Sequence, residues 1–363
     1  MAGDTISSPM LRDIPILDVG RRGAVGLYEA AASEAASLIA DAMRGHLLLG
    51  LGGRLGDHLS RLWLKRRRNP FYSEIAAVAR SIGRPGVYLL NIIYEWACST
   101  SAGPDPRATG NRMIRVLDWG LHGIGRYVVI GRHETDHGPY YNVTWPGYAG
   151  VLTAMAPGRF SAAINQAPRQ RPSGTRLLDE VIVHLGMFRA RGTLPVSHLL
   201  RRVFEEAADY SAAVRMLMAE VDLAMPALFT LSGTEPEEAC IIEAIGRKRF
   251  LHPAAAPQHI VGIANDWLTA DLPGEARDNA LAWSQHNTAE ASNLERRQTI
   301  CRLQRGAFAG VADLAPPVLN GHTVLVATAN AREGRLSVEA LDQGSNRRAL
   351  PRVVSRASIA AMH

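Results

Sequence analysis

The sequence runs to 363 residues, 47% hydrophobic and 20% charged. That balance excludes a disordered chain and a collagen-like repeat, and three cysteines are too few for a disulfide-stapled miniprotein. The formal net charge of +6 comes almost wholly from arginine, because Lys65 and Lys248 are the only lysines. With abundant Ala and Gly this is the composition of a GC-rich bacterial coding sequence, and its basic balance permits anionic partners without identifying one.

The first ninety or so residues read as helical. Tyr28–Met43 is rich in Ala and Leu with Gly45 as a stop, Asp57 can cap a second helix through Arg67, and Ser73 a third through Ile82. Residues 84–86, Arg-Pro-Gly, break the chain before Val87–Trp96. After Cys98 the pattern shortens. Met113–Trp119, Arg126–His133, Tyr141–Trp145, Val151–Met155 and Phe160–Asn165 read as strands of an antiparallel meander. Helical spacing returns at Ser197–Ala208 and Ser211–Leu223. Strand-like runs follow at Ala227–Leu231, Cys240–Ala244 and His259–Ala264. A polar helix covers Ala289–Arg305, and His322–Thr328 with Arg335–Leu341 forms a closing hairpin. Elements in blocks rather than in alternation point to one α+β layered domain.

Several motifs carry little. Gly50–Gly56 misses the dinucleotide-binding spacing, since Leu55 stands where the third glycine belongs, and reads as a glycine turn. His133 and His137 read as a surface turn, with no HExxH helix or CxxC pair beside them, so no metal or organic cofactor is implied. The run Lys65-Arg66-Arg67-Arg68 follows Leu62, Trp63 and Leu64. A solvated helix face is its default reading, membrane-surface contact through Trp63 and Lys65–Arg68 a second, and nucleic acid is set aside for want of interleaved aromatics. No stretch approaches the roughly 20 apolar residues that span a bilayer. The N-terminal residues, with Asp4, Arg12 and Asp13, lack a secretory pattern, and Cys98, Cys240 and Cys301 form no spaced pairs, so a cytoplasmic location is expected.

One constellation is more specific. Asn91-Ile-Ile-Tyr-Glu-Trp-Ala-Cys98 is followed by Arg115-Val-Leu-Asp118-Trp-Gly, then by Gly147-Tyr-Ala-Gly-Val-Leu-Thr and Pro157-Gly-Arg-Phe-Ser-Ala-Ala-Ile-Asn165-Gln166. Further on come Ile260-Val-Gly-Ile-Ala-Asn265-Asp-Trp267 and Asn293-Leu-Glu-Arg296-Arg297-Gln-Thr. In this order the segments resemble the acid ceramidase and N-acylethanolamine acid amidase family of cysteine N-terminal-nucleophile hydrolases, relatives of the choloylglycine hydrolases and penicillin acyltransferase. The resemblance covers nearly the whole chain.

It implies a four-layer αββα sandwich with a helical N-terminal segment. It also implies a chain that cuts itself before Cys98 into a helical α-subunit, residues 1–97, and a catalytic β-subunit, residues 98–363. Cutting frees an α-amine with a pKa of roughly 7.7–8.0 as a general base beside its own thiol. Arg115 then stabilises the thiolate, Asp118 accepts from the α-ammonium, and Asn265 donates its amide to the oxyanion. Arg296 buttresses Asn265 or the chain end, and Asn165 stands where the family keeps a structural or oxyanion-side asparagine. The implied reaction is hydrolysis of a linear, non-peptide C–N amide in an N-acyl, lipid-like small molecule through an acyl-Cys98 intermediate. Transfer of the acyl group to an amine, or a non-catalytic lipid- or partner-binding relative, are the alternatives. Gln166 departs from the family's glutamate, and the Gly/Pro-rich loop Gly103–Gly110 is lengthened.

Overall fold

Two short strands, β1 (Arg12–Asp13) and β2 (Ile16–Gly20), occupy the edges of two different sheets. The computed structural model describes residues 11–45, 47–92, 96–121, 123–170, 175, 194–219, 221–277, 280–343 and 349–360, without the side chains of 43–52. Helices α1 (Gly23–Ala30), α2 (Ala32–Gly45), α3 (Leu47–Arg66), α4 (Tyr72–Ile82) and α5 (Val87–Leu90) follow. The segment before Cys98 is therefore not purely helical.

The helical reading needs three local corrections. The first expected helix breaks at Ala31, where φ is −146° and ψ 51°, and this turn lets Leu27, Leu38 and Ile39 all be buried. Gly50–Gly56 lies inside α3 and is no turn. Glycine in a helix costs about 1 kcal/mol each, and Gly56 packs beside Leu89 with room for an ordinary Cβ contact at 3.5 Å, so tertiary packing and not local propensity holds this stretch helical. Asp57 sits mid-helix and accepts the Leu89 backbone N–H at 3.0 Å, while α4 starts after Phe71 with no side-chain cap from Ser73, and Asn69 closes the preceding turn by accepting the Phe71 N–H at 2.9 Å.

The strands are β3 (Trp96–Pro104), β4 (Asn111–Trp119), β5 (Val129–His133), β6 (Tyr140–Thr144), β7 (Thr153–Ala156), β8 (Phe160–Gln166), β9 (Ala227–Ser232), β10 (Ala239–Ile245), β11 (Lys248–Pro253), β12 (Val261–Ile263), β13 (Thr323–Asn330), β14 (Arg335–Asp342) and β15 (Arg352–Ala360). Among the described residues they form one sheet in the order β1-β15-β14-β13-β4-β3-β12 and another in the order β11-β10-β9-β8-β7-β6-β5-β2. The expected meander is β5 through β8. Its first expected strand, β4, instead pairs with β3 and β13 in the other sheet. Strands β11 and β15 went unread because both are half exposed and polar, at or near an edge.

Alternation along β4 explains the layering. Met113, Leu117 and Trp119 join the core between the sheets, whereas Ile114 and Val116 pack outward with Ile300 of α8 (Ala289–Arg305). On the far side, Leu199, Val203 and Phe204 of α6 (Val196–Glu206) and Ala213 and Leu217 of α7 (Tyr210–Met218) cover the second sheet. The order is helix, sheet, sheet, helix, the αββα sandwich the resemblance implies. His133 is no surface residue: it is buried against Tyr140, ring centroids 4.7 Å apart and nearly parallel. Trp63 and Leu64 are buried in the helical core, so they are not available to a membrane, while Lys65, Arg66 and Arg68 are solvated.

Candidate active site

Cys98 lies within β3, paired with Leu117 of β4, on an unbroken strand that begins two residues earlier. Strand alternation sends Trp96, Cys98 and Thr100 to the face between the sheets and Ala97 and Ser99 to the face under α8. The thiol donates to the Ile164 carbonyl of the opposing sheet at 3.7 Å. Arg115 reaches the same carbonyl at 2.8 Å and also holds Asn165 Oδ1 at 2.7 Å and Thr100 Oγ1 at 3.0 Å. Asn165 in turn donates to Ala264 O at 2.8 Å. Cysteine, guanidinium and asparagine from three strands thus share one fully buried cluster.

Asp118 is three residues from Arg115 and so faces the other side of the sheet. There it accepts from Asn320 at 2.9 Å and from Thr323 Oγ1 at 2.7 Å, with Arg296 at 3.7 Å. Arg296 links the two faces. It donates to Cys98 O at 3.1 Å, to Asn265 Oδ1 at 2.9 Å and to Asn293 Oδ1 at 2.6 Å. Asn265, just after β12, accepts the Cys98 backbone N–H at 2.9 Å. Its own amide donates to the Gln166 carbonyl at 2.7 Å.

The peptide nitrogen of Cys98 is therefore held by Asn265 and not by Asp118, whose oxygens are taken by Asn320 and Thr323. Asn293 carried no role in the sequence reading. It fixes both Arg296 and the Asn265 backbone N–H, the latter at 2.8 Å, and its signal was its place three residues before Arg296 on one helix face. Asn320 and Thr323 show no comparable pattern.

Burial dominates the electrostatics. It pushes the Cys98 thiol up to about 11, against the pull of Arg115, with Asp118 adding to the rise. Burial also raises the Asp118 carboxyl, opposed by Arg296 and by the Asn320 and Thr323 hydrogen bonds. Arg296 is lowered by its own burial. A fully buried thiol is a poor nucleophile in this form. Among the described residues no group of three or more His, Cys, Asp or Glu could hold a metal ion.

Beside the site lies a small apolar hollow with room of about 30 Å³. Val78, Val87, Leu90, Trp119, Trp145 and Tyr148 are among its walls, drawn from both the N-terminal helices and the sandwich. An edge-to-face series joins it to the strand that carries Cys98: Trp96 on Trp119 at 5.6 Å, and Trp119 on Trp145 at 5.1 Å.

No protein-family model matches the chain. Over 219 residues it is 24% identical to a probable acid ceramidase of Caenorhabditis elegans, covering 55% of this chain and 52% of that one. Over 99 residues it is 31% identical to an acid ceramidase of Heterocephalus glaber, covering 27% and 23%. The chain is similar to the acid ceramidases. It spans about half, or less, of the length of these curated relatives. Among solved structures, an N-acylethanolamine-hydrolyzing acid amidase ortholog of Caenorhabditis elegans is 18% identical with a TM-score of 0.45, covering 64% of this chain and 93% of that one. A conjugated bile acid hydrolase of Clostridium perfringens is 8% identical with a TM-score of 0.41, covering 73% and 97%.

Proposed function

We propose that this acid ceramidase-like chain is a self-processing cysteine amidase acting on N-acyl small molecules. The observation that carries the reading is the convergence on Cys98. Its sulfur shares an acceptor with Arg115, its nitrogen is held by Asn265 and its carbonyl by Arg296. Every polar atom of one residue is positioned by a buried side chain or its partner. A structural cysteine requires none of this.

In processing, Cys98 Sγ adds to the carbonyl carbon of Ala97 and the Ala97–Cys98 C–N bond breaks. Water then hydrolyses the resulting thioester, leaving an Ala97 carboxylate and a free Cys98 amine. Residues 1–97 and 98–363 become the two chains of one fold. In turnover the α-amine takes the thiol proton, the thiolate adds to the substrate amide carbon, and the tetrahedral oxyanion is stabilised by the site's donors. Collapse breaks the C–N bond, the leaving amine takes the proton, and water releases the acid. A small apolar hollow lined by Trp119 adjoins the strand pair that bears Cys98.

The reading is tested by rapid-quench mass spectrometry of the cut protein mixed with a medium-chain N-acyl arylamide. A transient mass increase of one acyl group on the peptide beginning at Cys98, with amine released in step, is expected. Amine release with no acylated Cys98 would overturn the mechanism.

A further inference from the structure

Asparagine is disfavoured inside a helix because its side chain competes for backbone hydrogen bonds, and a buried one needs partners for an oxygen and two hydrogens. Asn293 of α8 is fully buried and has them all. Its Nδ2 donates to Ala289 O, one turn back, at 2.7 Å and to Arg277 O at 2.8 Å. Those two bonds fix the plane of the amide, so its oxygen has one direction to face. Oδ1 accepts the Asn265 backbone N–H at 2.8 Å and Arg296 Nη2 at 2.6 Å.

The consequence lies at the Asn265 side chain. Arg296 Nη2 donates to Asn265 Oδ1 at 2.9 Å, and the Cys98 N–H donates to the same atom at 2.9 Å. A guanidinium and a peptide N–H carry no acceptor, so the atom on which they converge can only be the oxygen. The Nδ2 end is thereby turned the other way, to Gln166 O of β8 at 2.7 Å, on the strand whose Ile164 carbonyl meets the Cys98 thiol. Removing Asn293 releases the Asn265 backbone and takes away the acceptor that aims Arg296 Nη2. A rotated Asn265 amide then presents an oxygen where an oxyanion needs a donor.

We propose that Asn293 is a positioning residue of the active site. It fixes the Asn265 backbone and the Arg296 guanidinium together, and so sets which end of the Asn265 amide faces the reacting carbonyl. The inference rests on the amidase reading for the reaction, and one of its two measurements is made without turnover.

Two substitutions separate positioning from mere support. Asn293→Ala removes the whole amide. Asn293→Asp keeps an acceptor for Asn265 and Arg296 but sets an oxygen against the Ala289 and Arg277 carbonyls, so it is expected to lower the melting midpoint at least as much as Asn293→Ala. On a medium-chain N-acyl arylamide, cut Asn293→Ala should lose about tenfold or more in kcat with KM little changed, and Asn293→Asp should recover most of that loss. If Asn293→Ala stays uncut, the two are compared by rate of self-cleavage, with Asn293→Asp again the faster. Activity that follows the melting midpoint, or Asn293→Asp as impaired as Asn293→Ala, would overturn the proposal.

The second measurement uses full-length Cys98→Ala, whose backbone N–H at position 98 still has Asn265 Oδ1 as its acceptor. The nuclear magnetic resonance signal of that proton reports the bond. Adding Asn293→Ala should move it upfield, toward an unbonded amide, and adding Asn293→Asp should leave it near its place. A signal unmoved by Asn293→Ala would overturn the proposal. If the signal behaves as expected but wild type neither cuts itself nor releases amine, the amidase reading fails and the positioning assignment stands.

Discussion

At Cys98, burial and charge pull in opposite directions, and the balance identifies the residue whose loss is felt first. Desolvation raises the thiol to about 11, and Arg115 is the largest opposing influence. Arg115→Met removes that charge, so the thiol rises further and the thiolate population falls. Each unit of pKa is about 1.4 kcal/mol. Self-cleavage followed by denaturing gel is expected to slow at least tenfold; an unchanged rate would mean that Arg115 does not act on the sulfur. Asn265→Ala removes the acceptor of the Cys98 N–H and the neighbour of Arg296 together. It also removes the amide, bonded here to Gln166 O, that the proposed reading assigns to the oxyanion, and loss of such a donor is expected to lower amide turnover on the order of 10²–10³ in rate. Much of this site was legible in sequence, because Cys98, Arg115, Asn165, Asn265 and Arg296 stand in ordered motifs and the structure gathers them. What the motifs could not carry was direction. Arg115 and Asp118 three apart on a strand must face opposite ways, so Asp118 meets Asn320 and Thr323, short polar residues about two hundred positions away with no pattern of their own.

Among the elements, the seam between the N-terminal helices and the sandwich decides whether a cut chain stays whole. Arg201 of α6 is buried and binds Glu74 of α4 through both nitrogens, at 2.8 and 2.9 Å, while also reaching Ala149 O at 3.0 Å. Its guanidinium lies 3.9 Å from the centre of the Phe71 ring. Asn69 meets His198 at 2.9 Å in the same seam. Breaking a buried pair by deleting one partner costs about 3–5 kcal/mol, since the other charge is left stranded. Arg201→Met is therefore expected to lower the unfolding midpoint of the uncut chain by several degrees. In the cut protein it should loosen residues 1–97, seen as two peaks on size exclusion where wild type gives one. The reading of elements succeeded at Ala289–Arg305, a polar helix that starts at the Thr288 cap and whose bounds agree with the structure. It failed where tertiary packing overrode a local signal. Glycines inside α3 and the polar strands β11 and β15 are the instances.

For the whole molecule, acidity acts through two buried histidines. His133 and His198 are both buried, and burial lowers each to about 3 from an ordinary value near 6.5. A base whose folded pKa lies below its unfolded one stabilises the fold in its neutral form. That contribution is complete above about pH 6.5 and is lost as pH falls toward 3. By about pH 5 the loss amounts to about 2 kcal/mol for each imidazole. Thermal unfolding is expected to show a midpoint that drops steadily below about pH 6, with His133→Phe flattening the slope. A midpoint independent of pH across that window would show that these rings are solvated.

The central claim, that Cys98 is a nucleophile which first cuts its own chain, is tested most directly by intact mass spectrometry. Purified full-length protein would be measured beside Cys98→Ala after prolonged incubation from about pH 5 to about pH 8. The account predicts two wild-type masses that meet between Ala97 and Cys98 and together exceed the precursor by one water, with Cys98→Ala remaining a single chain. A wild type that stays whole throughout, or a Cys98→Ala that is cut at the same bond, would contradict it.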